Sequence, residues 1–247
     1  MNVIESIKIF STLVTVILGI MIPLETHAGE ADAFHAAQGD AYAHYRQAMF
    51  YTRTGNTMTA AFELDEMAGK WAKIVSRYSE NPPATYAADP KWRETLEDVA
   101  KRIDLGLVAV SDGNAEQVTD QLSPIRGLLA DMRRRSNVVI FSDHVDAANK
   151  AFQKLFEFRQ NQPDFSDPAQ VSDLQNRLDE TIAAYKKCVD EAPSGIAANE
   201  QFQRLMKDSL FYLERINVAI DEKNQLGVVN ILRRVISSDK LLWLLFG

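Results

Sequence analysis

Residues 112–125 read DGNAEQVTDQLSPI, a Gly-Asn turn followed by apolar side chains at positions 118, 122 and 125. Glycine tolerates the left-handed backbone that ends a helix, and the Asn114 side chain can accept hydrogen bonds from the first free amides of a following helix. Counted from Asn114, the apolar positions come at steps of four, four and three, the spacing of one helix face. The stretch predicts a tight turn between two helices, the second of them amphipathic.

The same pattern surrounds two other asparagines, Asn56 and Asn224. The residues four, eight and eleven positions after the three asparagines are Ala60, Val118 and Val228, then Leu64, Leu122 and Leu232, then Met67, Ile125 and Val235. The residues twenty-two, sixteen and eleven positions before them are Phe34, Trp92 and Phe202, then Asp40, Asp98 and Asp208, then Tyr45, Ile103 and Leu213. Because the match extends to both sides of the turn, the repeating unit is predicted to be a pair of antiparallel helices.

The three asparagines are 58 and 110 residues apart, which leaves room for one more unit of about 55 residues between the second and third. An anchor at Gln170 gives that unit an apolar stripe made of Leu174, Leu178 and Cys188. Pro163 and Pro168 bracket its turn, so it is predicted to be a divergent hairpin.

Eight helices follow from these four hairpins, over residues 30–53, 57–79, 90–111, 115–138, 143–160, 168–190, 197–221 and 225–245. We expect an all-α protein, with two tandem four-helix bundles over residues 29–140 and 141–247. A short solenoid is the alternative arrangement of the same hairpins.

The first 28 residues have the three regions of a secretory signal peptide. A polar start with Lys8 precedes sixteen uncharged residues from Ile9 to Leu24, and small residues end the segment at Ala28. Since a spanning helix needs roughly 18 to 20 apolar residues, cleavage after Ala28 is predicted, with a retained anchor as the alternative. The mature protein is expected in the periplasm or secreted, with no stable membrane span.

The apolar end of the chain, LLWLLF over residues 241–246, has two interpretations. Its positions continue the core stripe of the last helix, which predicts burial. The alternative is an end that docks on a partner or contacts a membrane.

Charge and cysteine content exclude several classes of protein. Lys and Arg total 27 against 34 Asp and Glu, so the net charge of −7 disfavours nucleic acid as a partner. The single cysteine, Cys188, excludes covalent haem, iron–sulfur clusters and thiolate zinc sites, and its spacing predicts a buried, inert thiol. Glycine-rich nucleotide motifs, G-x-S-x-G and H-E-x-x-H are absent from the sequence.

Candidate metal or haem ligands are few. His44 has Asp40 one turn before it, a spacing at which a carboxylate can orient an imidazole, and a boundary His–Asp contact is the simpler interpretation. His144 lies beside Asp143 in the first turn of a predicted helix, where capping explains both residues. With Met49, these histidines could hold haem b or a transition metal in a bundle core, as b-type bundle cytochromes do.

A basic cluster, Arg133, Arg134 and Arg135, ends the fourth predicted helix, where cations offset the helix dipole. Together with Arg126 on the same helix, the cluster could instead form an anion-binding or partner-binding patch.

The sequence favours a non-enzymatic binding or interaction module, with an unidentified protein or small ligand as partner and no cofactor. The alternative is an electron-transfer or metal-handling bundle that uses haem b or a transition metal. A third hypothesis is an exported enzyme, for which Asp40, His44, Asp143 and His144 are the available acid–base groups, although no catalytic residue is predicted.

Overall fold

The structure, a computed structural model, describes residues 25–247, with side chains from Gly29 onward. The predicted signal peptide lies almost wholly outside the described residues. The helices are α1 (Glu25–Arg53), α2 (Thr57–Tyr78), α3 (Trp92–Ser111), α4 (Ala115–Leu122), α5 (Pro124–Arg135), α6 (Phe141–Phe156), α7 (Pro168–Asp190), α8 (Ser194–Ala197), α9 (Glu200–Asp221) and α10 (Gln225–Phe246). Residues 25–247 contain no strand, so the all-α prediction is confirmed for this part of the chain.

The predicted helices differ from the observed ones mainly at one proline. The single helix predicted over residues 115–138 is wrong, because the chain breaks at Ser123 into α4 and α5. Pro124 has no backbone N–H to donate to the preceding turn, and its ring clashes with that turn. Pro124 therefore starts a new helix, in the first-turn position that suits proline.

The three asparagine turns have the expected chemistry. The side-chain oxygens of Asn56, Asn114 and Asn224 accept hydrogen bonds from the backbone N–H three residues later, at 3.2, 3.0 and 2.8 Å. The residue before each asparagine has a left-handed backbone: Gly55 at φ 77°, Gly113 at φ 70° and Lys223 at φ 53°. Each turn thus closes one helix and caps the next.

The third hairpin departs from this pattern. Gln170 lies inside α7 and is not at a turn, so the anchor assigned to it is wrong. The helix cap is Asp167, whose side chain accepts from the N–H of Ala169 at 2.9 Å. The predicted stripe is nevertheless buried, since Leu174, Leu178 and Cys188 are all 0% exposed.

The helices pack as two four-helix arrangements in chain order. In the first, α1 contacts α2, α2 contacts α3, α3 contacts α4, and α4 closes against α1. In the second, α6 contacts α7, α7 contacts α9, α9 contacts α10, and α10 closes against α6. The buried hydrophobic residues form one cluster in residues 34–132 and another in residues 145–242, and the apolar sets that flank the three asparagines belong to them.

The end of α10 joins the two clusters. Leu242 is 1% exposed, and Trp243 packs against both hydrophobic clusters. Phe246 packs against the second cluster, whereas Leu241 is exposed. Leu242, Trp243 and Phe246 are thus part of the core or pack on it, as the periodicity predicts, whereas Leu244 and Leu245 are half-buried outside the two clusters. Among residues 25–247, no helix combines the length and the apolar character needed to cross a membrane.

Candidate functional site

A cleft of about 510 Å³ lies between the two four-helix arrangements. One wall is α1, the second is α5, and the opposite side is formed by the start of α6, by α8 and by the end of α10. Because α1 and α10 are the first and last helices, the cleft exists only in the folded chain.

One face of α1 supplies most of the polar wall. His35, Gln38, Tyr42 and Arg46 follow one another at steps of three, four and four, so they lie along one side of the helix. The adjoining face of α1 is buried in the first hydrophobic cluster and includes Ala41, Tyr45 and Ala48. The amphipathic pattern of α1 therefore directs these polar groups away from its own bundle and toward the other.

Two arginines of α5 reach the cleft with their charges already neutralised. Arg126 forms an ion pair with Asp146 and donates to Oδ1 of Asn149 at 3.1 Å. Arg133 makes a two-pronged contact with Asp143, with Nη2 2.6 Å from Oδ1 and Nε 2.9 Å from Oδ2. These pairs bridge α5 and α6, and no carboxylate side chain lines the cleft itself.

Arg46 is different. Its Nε donates to the backbone oxygen of Leu244 at 3.0 Å, and its guanidinium lies 5.6 Å from the centre of the Tyr42 ring. No carboxylate among residues 29–247 lies within 4.0 Å of it. Burial lowers the pKa of Arg46, as expected for a cation that has lost water without gaining a paired anion. Arg46 is the one cleft guanidinium, among the described residues, that lacks a carboxylate partner.

The other polar groups add no charge to the cleft. Burial, followed by the charge of Arg133, lowers the pKa of His35, so its imidazole is neutral at pH 7. His35 Nε2 lies 2.8 Å from the hydroxyl of Tyr86. Gln38 is 4% exposed, and its side-chain oxygen has no hydrogen-bond partner among the described residues. With Arg126 and Arg133 neutralised, Arg46 is the one charged side chain of the cleft, among the described residues, without a counter-charge.

The candidate metal and haem ligands lie in separate environments. His44 Nδ1 is 2.7 Å from Oε2 of Glu63 on α2, so the partner expected at Asp40, which is exposed, is wrong. Met49 is 2% exposed within the first hydrophobic cluster. His144 is half-buried in the first turn of α6. Within residues 29–247, no group of three or more His, Cys, Asp or Glu side chains is placed to hold a metal ion.

The expected acid–base groups are also dispersed. Asp143 is engaged by Arg133 and accepts from the backbone N–H of Ile140 at 3.0 Å, which caps α6. His44, on α1, is held by Glu63 of α2 and so belongs to the other bundle. The structure therefore does not assemble Asp40, His44, Asp143 and His144 into one site.

The predicted arginine patch divides into three places. Only Arg126 and Arg133 reach the cleft. Arg134 is exposed and pairs with Asp131 on its own helix, at 2.8 Å. Arg135 turns to the other side of the bundle, where its Nε and Nη2 lie 2.7 and 2.9 Å from the two carboxylate oxygens of Asp89.

Sequence reasoning missed the polar face of α1. The steps that connect His35, Gln38, Tyr42 and Arg46 are visible in the sequence and could have marked them as one stripe. What they face could not be read, because it depends on how the two bundles meet.

A second polar cluster lies inside the second bundle. Asp239 on α10 is 2% exposed and accepts hydrogen bonds at Oδ1 from Asn149 and Tyr185, at 2.7 and 2.8 Å. Because Asn149 also accepts from Arg126, a chain of hydrogen bonds runs from the cleft wall into this core. Sequence reasoning missed Asp239, which occupies a core position of an apolar helix.

No family model, curated protein or solved structure matches this chain.

Proposed function

We propose that this protein is a non-enzymatic binding module whose ligand is a small anion held in the cleft between the two bundles. The observation that carries the proposal is Arg46, a half-buried guanidinium that faces the cleft without a carboxylate partner. The predicted export of the chain suits a module that binds a ligand in the periplasm or outside the cell.

An unpaired charge that has lost water is unfavourable until a counter-charge reaches it. The terminal nitrogens of a guanidinium can donate two parallel hydrogen bonds to an oxyanion, which is the strongest form of this contact. In Arg46, Nε is already fixed by Leu244, so the guanidinium is held in place before any ligand arrives. Such preorganisation lowers the entropy lost on binding.

The remaining titratable groups of the cleft support binding over catalysis. His35 is engaged by the Tyr86 hydroxyl. Burial raises the pKa of Tyr42, so its hydroxyl stays protonated and can serve only as a hydrogen-bonding group at neutral pH. Neither residue is paired with the second group that general acid–base chemistry or nucleophilic attack requires.

The test uses 8-anilinonaphthalene-1-sulfonate, an aromatic monoanion whose fluorescence rises in apolar surroundings. Titrated into the native protein, it is expected to bind with a stoichiometry of one. Arg46→Met should weaken this binding at least about tenfold, because a charge-assisted hydrogen bond contributes about 1.5 to 3 kcal/mol. Arg53→Met is the control, since it removes an exposed arginine from the same helix outside the cleft.

A second pair of variants blocks the space itself. Gly39 lines the cleft in mid-helix, and a Cβ added there meets nothing within 4 Å. Gly39→Phe should therefore fill the cleft without straining the fold and abolish binding. Gly69→Phe is the matched control, because Gly69 is a helical glycine with equally open surroundings on α2, away from the cleft.

Loss of binding in Arg46→Met and Gly39→Phe, with both controls unchanged, would support the proposal. Wild-type affinity in the two cleft variants would overturn it, as would a native protein that does not bind the dye. Circular dichroism of each variant verifies that the helices are intact.

A further inference from the structure

We infer that the ligand is an amphipathic monocarboxylate, a single carboxylate group attached to an apolar chain or ring. The inference rests on the proposed function and names the chemical class of the ligand. It follows from the charge balance of the cleft and from the chemistry of the side that faces Arg46.

The charged side chains of the cleft favour a ligand with a single negative charge. Arg126 and Arg133 are each neutralised by an aspartate of α6, and Arg46 alone remains unpaired. A monoanion neutralises the one unpaired charge among the side chains that line the cleft. A dianion, such as a phosphate monoester at pH 8, would leave one negative charge that no side chain of the cleft offsets, which is unfavourable beside the apolar lining.

The geometry of the donor suits a carboxylate. A carboxylate matches the two parallel N–H bonds that a guanidinium offers along one edge. Arg46 lies over the Tyr42 ring, at 5.6 Å from its centre, so its own position is restrained from one side.

The apolar sides of the cleft favour a ligand whose carboxylate is attached to an apolar chain or ring. Leu129 comes from α5, Ile140 and Phe141 from the start of α6, Ile196 from α8 and Phe246 from α10. No charged side chain comes from α6, α8 or α10 to this lining. A volume of about 510 Å³ falls within the range of clefts that bury most of a drug-sized molecule. An acid as small as acetate would leave this apolar surface in contact with water.

The experiment is calorimetric titration of the full chain with five probes: octanoate, acetate, 1-octanol, octyl phosphate and inorganic phosphate. Octanoate is expected to bind one to one at pH 8, and the other four at least about tenfold more weakly. Octyl phosphate should gain affinity between pH 8 and pH 5.5, because its second pKa near 6 makes it a monoanion at the lower pH. Burial lowers the pKa of His35, which disfavours its protonation as the pH falls.

Two variants test which side chains bind the carboxylate and which contact the apolar part of the ligand. Arg46→Met should reduce the affinity for octanoate and leave that for 1-octanol unchanged. Ile196→Ser should weaken octanoate binding severalfold without altering the acetate titration. Val189→Ser is its control, because Val189 is an exposed apolar residue of α7 outside the cleft.

The possible results separate the two proposals. If acetate binds as tightly as octanoate, the inference that the ligand has an apolar body is wrong. If octyl phosphate binds more tightly at pH 8 than at pH 5.5, the inference that the ligand is a monoanion is wrong. In both cases the cleft would still be an anion site. If the dye binds independently of Arg46 and Gly39, the proposed function fails, whatever octanoate does. If the dye passes its test and octanoate does not bind, only the inferred ligand class is wrong.

Discussion

The hydroxyl of Tyr185 donates a hydrogen bond of 2.8 Å to Oδ1 of Asp239, which places a carboxyl group that is 2% exposed in the core of the second bundle. Asn149 donates to the same oxygen at 2.7 Å, and Gln153 contacts Oδ2 at 3.4 Å. Burial raises the pKa of Asp239 even though these hydrogen bonds and the more distant charge of Arg126 act in the opposite direction. The native state therefore favours the protonated acid more than the unfolded state does.

Replacement of Asp239 by Asn should change how stability depends on pH. Because the folded pKa is raised above the unfolded one, the contribution of Asp239 is fully present below the unfolded pKa and is lost as pH rises through the folded pKa. The free energy of unfolding of the wild type minus that of Asp239→Asn should therefore decrease from pH 4 to pH 8. Urea denaturation of both proteins at each pH measures this difference. Parallel profiles for the two proteins would contradict this assignment.

Tyr185→Phe provides the complementary measurement. It removes one donor that stabilises the ionised form of Asp239, so the variant should be destabilised more at pH 8 than at pH 4. An equal loss at both values would mean that the hydroxyl contributes through packing alone.

The thiol of Cys188 should be inert in the native protein. It is 0% exposed, and burial, followed by the charge of Asp239, raises its pKa to about 12. Since the thiolate is the reactive form, Ellman's reagent at pH 8 should detect no thiol before denaturation and one thiol per chain in guanidinium chloride. Rapid labelling of the folded protein would instead support a redox or intermolecular role.

The turn at Lys223 offers a stabilising substitution. Gly55 and Gly113 occupy the left-handed position in the other two asparagine turns, whereas Lys223 adopts φ 53° with a side chain. Lys223→Gly should raise the free energy of unfolding by about 0.5 to 1 kcal/mol, because the steric cost of this backbone for a lysine exceeds the entropic cost of glycine. Thermal and urea denaturation measure the change.

The reciprocal variant, Gly113→Lys, is the control for that prediction. It should lower the free energy of unfolding by about 1 kcal/mol, since nothing else surrounds the position within 4 Å. If both variants shift stability in the same direction, the backbone conformation is not the cause.

Trp243 should couple the unfolding of the two bundles. It packs against both hydrophobic clusters, and its replacement by Ala is expected to cost about 2 kcal/mol, less than for a fully buried tryptophan. Trp71 and Trp92 then remain as fluorophores, and both belong to the first cluster. Tryptophan fluorescence would then report unfolding of the first bundle, and circular dichroism would report unfolding of both bundles. The unfolding curves from the two methods should therefore separate in Trp243→Ala.

Trp243→Phe retains an aromatic side chain at the joint and is expected to keep the two curves together. Coincident curves in Trp243→Ala would show that other contacts, such as the ion pair between Arg126 and Asp146, suffice to couple the bundles.

The sequence predictions were more accurate for interactions between residues that are close in the chain than for those between distant residues. The turn at Asn114 could be predicted because its cap and its left-handed glycine are neighbours in the chain. The partner of His44 could not, since Asp40 is one turn away in the sequence, whereas Glu63 reaches His44 only through the packing of α2 on α1. The break at Pro124 had a local signal that the apolar periodicity concealed.

The sequence by itself determined the helices, their capped turns and the faces that they bury, because these depend on contacts three or four residues apart. The tertiary structure alone decided which charges on different helices neutralise one another. Arg133 meets Asp143 and Arg135 meets Asp89, although both arginines belong to one run in the sequence. Arg46 gains no carboxylate because the bundle that packs beside it presents an apolar surface and a backbone oxygen. The candidate binding site exists only where the two bundles meet.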